Sequence, residues 1–156
     1  MERAYYFAYS LHMDPANLEG AGIRAVRICR GVLRGYQLAF NVLEDELFFR
    51  EHRGVANIMP RKDGAVEGVL FALDTGEMMK LDRQAGVASL KFYRKIVPVE
   101  REDGILETAY TYSGWPDVTS EGLLPSKRYL KRLTAAAIRQ GISSSYRQWL
   151  LSHPTD

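Results

Sequence analysis

The segment Tyr9-Ser10-Leu11-His12-Met13-Asp14-Pro15 gathers groups that bind anions and move protons within one loop. It leaves an aromatic, β-prone run, Ala4 to Tyr9, and enters a helix that Asp14 caps and Pro15 begins. Backbone N–H groups ahead of a helix lack intrahelical acceptors and sit at the positive end of its dipole. A carboxylate or an oxyanion is therefore a fitting guest. The alternative reading of the same residues is a tight turn satisfied by Asp14. His12 lies inside the loop, and an unperturbed imidazole titrates near about 6.5, which suits acid or base work at neutral pH. A loop histidine is also commonly solvated or bonded to backbone. The spacing of Ser10 to His12 does not establish a nucleophile–base pair. His52 and His153 have no partners at metal-ligand spacing, so no metal site is expected.

A second segment, "LDRQAGV" from Leu81 to Val87, closes a helix expected over Asp74–Gln84, with Met78, Met79 and Leu81 toward the core and Gly86 turning the chain. Asp82 is expected to cap that helix end or to pair with Lys80 or Arg83. The single cysteine, Cys29, lies in an apolar strand-like run and reads as a buried bystander. A lone thiol makes no internal disulfide, which points to a reducing, cytoplasmic setting.

Elements must hold these two segments together. Strands are expected at Ala4–Tyr9, Ile23–Gly31, Val32–Phe40, Gly54–Pro60, Ala65–Leu73, Phe92–Glu100 and Leu106–Ser113, with Gly31, "PRKDG" and Gly64 as turns. "EDELFFREHR" reads as a charged loop or short helix in which Phe48 and Phe49 need burial. Ser126 caps a helix with Tyr129, Leu130, Leu133, Ala137 and Ile138 at helical spacing, ended by Gly141. Ser143 or Ser144 starts a last helix carrying Tyr146, Trp149 and Leu150. Six or seven strands with helices among and after them make one α+β domain over residues 1–156, its mixed sheet open to closure as a barrel.

Composition narrows the partners. The chain has 156 residues, 46% hydrophobic and 26% charged, with a net charge of +2. Such a balance gives no general attraction to nucleic acid or to an anionic membrane. The opening residues carry early charge and no long apolar run, so neither a signal peptide nor a membrane span is expected. Lys127, Arg128, Lys131, Arg132 and Arg139 read as a solvated helix face rather than an RNA platform, because the nearby aromatics occupy the apolar side.

Taken together, the segments resemble the γ-glutamylcyclotransferase superfamily over nearly the whole chain. "YFAYSLHMDP" is similar to the family's "YFAYGSNMDP", "GYQLAFN" to "GYRLAFN", and "GVANIMP" to "GVADIVP". "AVEGVLFAL" looks like "VWGVLYEL", "LDRQAGV" like "LDRQEGV", and "LPSKRYLKRLTAAAIRQGI" like the family's "PSKRYL" helix. The resemblance implies a small mixed β-barrel flanked by helices. It implies a small γ-glutamyl amine or amide as substrate, bound near the first loop by Tyr9, Ser10, Leu11 and His12, with Tyr93 as a further contact. It implies expulsion of the amine by intramolecular cyclisation to 5-oxoproline, without metal or organic cofactor, by a monomer or homodimer.

That chemistry needs a group to take a proton from the substrate's α-amine and one to protonate the departing amine. A single carboxylate can do both. The family places a glutamate there, and the matching residue in this chain is Ala85, a methyl group that carries no proton. Ser10, Leu11 and His12 also stand where Gly, Ser and Asn are usual. Three explanations follow. The chain is a Glu-to-Ala inactivated variant; or acid–base chemistry has moved to His12 or to Glu67, which occupies a family tryptophan position; or catalysis is lost and the chain binds a small molecule or serves as an interaction module.

Overall fold

The computed structural model describes residues 3–44 and 53–156. Five strands form a closed barrel in the order β1-β3-β2-β4-β5. They are β1 (Arg3–Ala8), β2 (Val26–Leu43), β3 (Gly54–Asp74), β4 (Phe92–Arg101) and β5 (Leu106–Gly114). Neighbours are antiparallel except at the closing seam, where β1 meets β5 in parallel through Tyr6 and Tyr110. Among the described residues four α-helices accompany the barrel: α1 (Pro15–Gly20), α2 (Thr75–Gln84), α3 (Lys127–Arg139) and α4 (Ser144–Leu151). The fold is therefore the small mixed barrel with flanking helices.

Strand number departs from expectation. Gly31 and "PRKDG" do not end strands; β2 and β3 run through them as one long antiparallel pair. Gly31 serves close packing instead, since a Cβ there would stand 2.5 Å from Val99 Cγ1. Between the pairs Arg34–Ala65 and Tyr36–Pro60, only Gly35 on β2 faces residues 61–64 on β3. "RKDG" is thus a bulge within a continuing strand, with Asp63 at φ 63° and Gly35 at φ 83°. "EDELFFREHR", with Phe48 and Phe49, falls largely outside the described residues.

The core joins Phe7, Leu33, Ile58, Leu70 and Phe71 of the barrel to Met78 and Leu81 of α2, Leu133 of α3 and Leu150 of α4. Met79 and Ile138 do not point inward as expected; they are 64% and 58% exposed. Each lies one residue, about 100°, around its helix from the buried stripe. Cys29 is only half-buried. The helix starts follow their caps: Asp14 Oδ1 accepts Ala16 N–H at 3.0 Å, Ser126 Oγ accepts Tyr129 N–H at 3.0 Å, and Ser143 Oγ accepts Tyr146 N–H at 3.3 Å. No helix among the described residues is long and apolar enough to cross a membrane.

Candidate functional site

A cavity of about 230 Å³ lies where the loop after β1 meets the C-terminal end of α2. β1 and the loop supply Tyr6, Tyr9, Ser10, Leu11 and His12; α2 and its cap supply Leu81, Gln84 and Ala85. Phe92 of β4, Tyr112 of β5, Tyr129 of α3 and the Val55–Ala56 region of β3 complete the wall. The structure thus brings together Tyr9, Ser10, Leu11, His12 and Ala85.

Glu67 and Tyr93 lie outside that wall. The Glu67 carboxylate accepts the Ser143 N–H at 3.0 Å and the Ser143 hydroxyl at 2.5 Å, so it anchors the start of α4. Tyr93 packs on Trp115 with ring centroids 4.7 Å apart. Strand alternation gives the cavity Phe92 instead.

The loop forms a single 3-10 turn, Leu11–Met13, whose first bond runs from Met13 N–H to the Ser10 carbonyl at 2.9 Å. The N–H groups of Leu11 and His12 precede that first donor, at the end where a 3-10 turn leaves its amides unbonded. Asn17 Nδ2 donates to the Leu11 carbonyl at 2.7 Å and pins the turn. Asp14, the cap of α1, is also paired with Arg139 of α3 at 2.9 Å.

Tyrosine hydroxyls organise the rest. Tyr129 Oη accepts the Ala56 N–H at 3.0 Å and lies 2.6 Å from Ser10 Oγ, tying α3 to the loop. Tyr9 Oη donates to the Tyr112 carbonyl at 2.8 Å. Tyr6 Oη and His12 Nδ1 are 3.2 Å apart. Burial pushes the Tyr6, Tyr9, Tyr112 and Tyr129 hydroxyls above the ordinary phenol value, so all four are protonated at neutral pH. Burial also holds the His12 imidazole below its usual range, an effect the Gln84 side chain partly offsets. His12 is therefore neutral at pH 7.

Asp82 does not pair with Lys80 or Arg83 as expected. Arg94 Nε donates to its Oδ1 at 3.1 Å, the Arg94 Nη2 group pairs with its Oδ2, and Tyr112 Oη donates to Oδ1 at 2.5 Å. Lys80 instead pairs with Glu77. Sequence reasoning missed Tyr6, Gln84, Tyr112 and Tyr129. The aromatic runs "AYYFAY" and "AYTY" were visible as strands, but nothing local says which rings share one wall. Among the described residues no group of three His, Cys, Asp or Glu is arranged to hold a metal ion.

A model of the AIG2-like family matches residues 65–150. The chain is 26% identical to mouse γ-glutamylcyclotransferase over 149 residues, 96% of this chain and 78% of that protein. It is 31% identical to the putative γ-glutamylcyclotransferase YkqA of Bacillus subtilis over 99 residues, 62% of this chain and 33% of that one. A solved γ-glutamyl cyclotransferase structure superposes with a TM-score of 0.89 at 24% identity, covering 99% of this chain and 90% of the other. The solved YkqA structure gives 0.83 at 24% identity, covering all of this chain and 57% of that one. At that identity the superpositions establish the fold alone.

Proposed function

The chain belongs to the AIG2-like family, and on that premise we propose that its cavity receives a small γ-glutamyl amine or amide. The proposed reaction is a γ-glutamylcyclotransferase-type cyclisation. The substrate's α-amine attacks its own γ-carbonyl, the amine departs and 5-oxoproline forms. The observation that carries this reading is the meeting of the first loop and position 85 in one cavity.

The Leu11 and His12 N–H groups suit the substrate carboxylate or the oxyanion that develops on the γ-carbonyl. Neutral His12 and Ser10 are substrate contacts, positioned by Tyr6 and Tyr129. Holding a five-membered cyclisation in register supplies much of the acceleration, since well-aligned intramolecular reactions reach effective molarities of about 10⁵ M or more. What Ala85 withholds is direct proton transfer. That same methyl group favours a second reading, in which the cavity binds its ligand without turnover.

Titration with a panel of γ-glutamyl amides, followed by the amide resonances of Leu11 and His12 and by release of 5-oxoproline, tests both readings. Shifted resonances with product support the enzyme. Shifted resonances with no product, even in Ala85→Glu, support a binding protein. Unmoved resonances together with no product from either chain would sink the γ-glutamyl site altogether.

A further inference from the structure

Among the described residues, no acidic side chain lines the cavity. A γ-glutamyl group nonetheless carries an α-ammonium that needs an acceptor. Asp82 sits three residues before Ala85 at the end of α2, and that spacing puts two positions on one helix face. Its carboxylate does not line the cavity, but Tyr112 does, and Tyr112 Oη donates to Asp82 Oδ1 at 2.5 Å. Arg94 grips both oxygens of the same carboxylate, and its guanidinium lies 4.9 Å from the centre of the Tyr110 ring, which fixes its place.

The directions of these bonds matter. A carboxylate clamped by a guanidinium accepts hydrogen bonds and donates none. Tyr112 must therefore spend its single proton on Asp82, so in any further hydrogen bond its oxygen can only accept. Burial and the Asp82 contact both oppose a tyrosinate, so the phenol stays protonated.

We infer that Tyr112, oriented by Asp82, is the acceptor for the substrate's α-ammonium in this cavity and takes over the contact that Ala85 cannot make. The inference rests on the γ-glutamyl reading above. Asp82 acts through Tyr112 and is a positioning residue. In turnover, one proton of the α-ammonium passes to Tyr112 Oη as the phenol proton passes to Asp82 Oδ1, which frees the amine to attack. The C–N bond of the ring forms, both transfers reverse to protonate the departing nitrogen, and its bond to the γ-carbon breaks. The ring nitrogen then gives its surplus proton to the departed amine, so the positive charge that entered on the α-ammonium leaves on the released ammonium and no tyrosinate accumulates.

The test compares equilibrium binding of γ-glutamylmethylamide and glutaric acid monomethylamide, which differ only in the α-amino group. The unaltered chain is expected to prefer the amine-bearing compound by about tenfold or more, the usual weight of a hydrogen bond to a charged group. Tyr112→Phe and Asp82→Asn are each expected to bring the preference to within about twofold while leaving the affinity for glutaric acid monomethylamide unchanged, which a general structural defect would not do. Ala85→Glu added to Tyr112→Phe is expected to restore the preference. No preference in the unaltered chain, or a preference that survives Tyr112→Phe and Asp82→Asn, would overturn the inference and leave the γ-glutamyl site standing. Failure of both compounds to bind would remove the site and the inference together.

Discussion

At position 85 a methyl group faces a cavity whose other polar groups are hydroxyls, an amide and a neutral imidazole. Introducing a carboxylate there puts a proton carrier beside the proposed substrate. Ala85→Glu is expected to raise 5-oxoproline formation by about 10²–10⁴-fold, the usual weight of a general acid–base group, measured as kcat/KM. His12 offers a separate handle through pH. Its folded-state pKa is depressed by burial, whereas unfolding returns it to its ordinary value. Below about pH 6.5 the unfolded chain therefore binds the extra proton first, and stability is lost as pH falls toward the depressed value. Urea midpoints across that window are expected to fall more steeply for the unaltered chain than for His12→Gln.

Elements place these residues through contacts that tolerate little change. A Cβ at Gly68 of β3 would stand 2.3 Å from the Ala8 carbonyl oxygen and 2.7 Å from Phe7 Cζ, directly behind the strand that leads into the loop. Gly68→Ala is expected to destabilise by about 1–3 kcal/mol, because backbone on that side has nowhere to move. Gly76, in the first turn of α2, is the opposite case, since a Cβ there would meet nothing within 4 Å. Gly76→Ala is expected to stabilise by about 0.5–1 kcal/mol through helix propensity. Chemical denaturation of the two variants side by side separates close packing from chain entropy.

Across the whole molecule, closure of the barrel makes the cavity. β1 carries the first loop, β5 carries Tyr112, and their seam joins them in parallel. Thr111 Oγ1 donates across it to the Phe7 carbonyl at 2.8 Å, with Thr111 fully buried. Tyr9 Oη crosses the same seam to the Tyr112 carbonyl. Thr111→Val keeps the shape and leaves the Phe7 carbonyl without this donor. It is expected to lower stability by about 1–3 kcal/mol and to speed amide exchange along β1 and β5 ahead of the β2–β3 pair.

Caps and apolar periods determined much of this from sequence: Asp14, Ser126 and Ser143 start their helices as expected, and β1, β4 and β5 fall close to the expected strands. Those signals reside in a few adjacent residues, so they are legible without the rest of the chain. Gly31 and "PRKDG" misled because a glycine that permits close approach looks, locally, like one that permits a turn. The site divides in the same way. The loop from Tyr9 to Pro15 and the alanine at position 85 stand in the sequence. Only tertiary structure sets Ser10 against Tyr129, 119 positions away, Tyr112 against Asp82, 30 positions away, and Glu67 against Ser143 rather than the cavity. Such pairings depend on strand register and helix docking, which are decided by burial over the whole barrel rather than by any short stretch of residues.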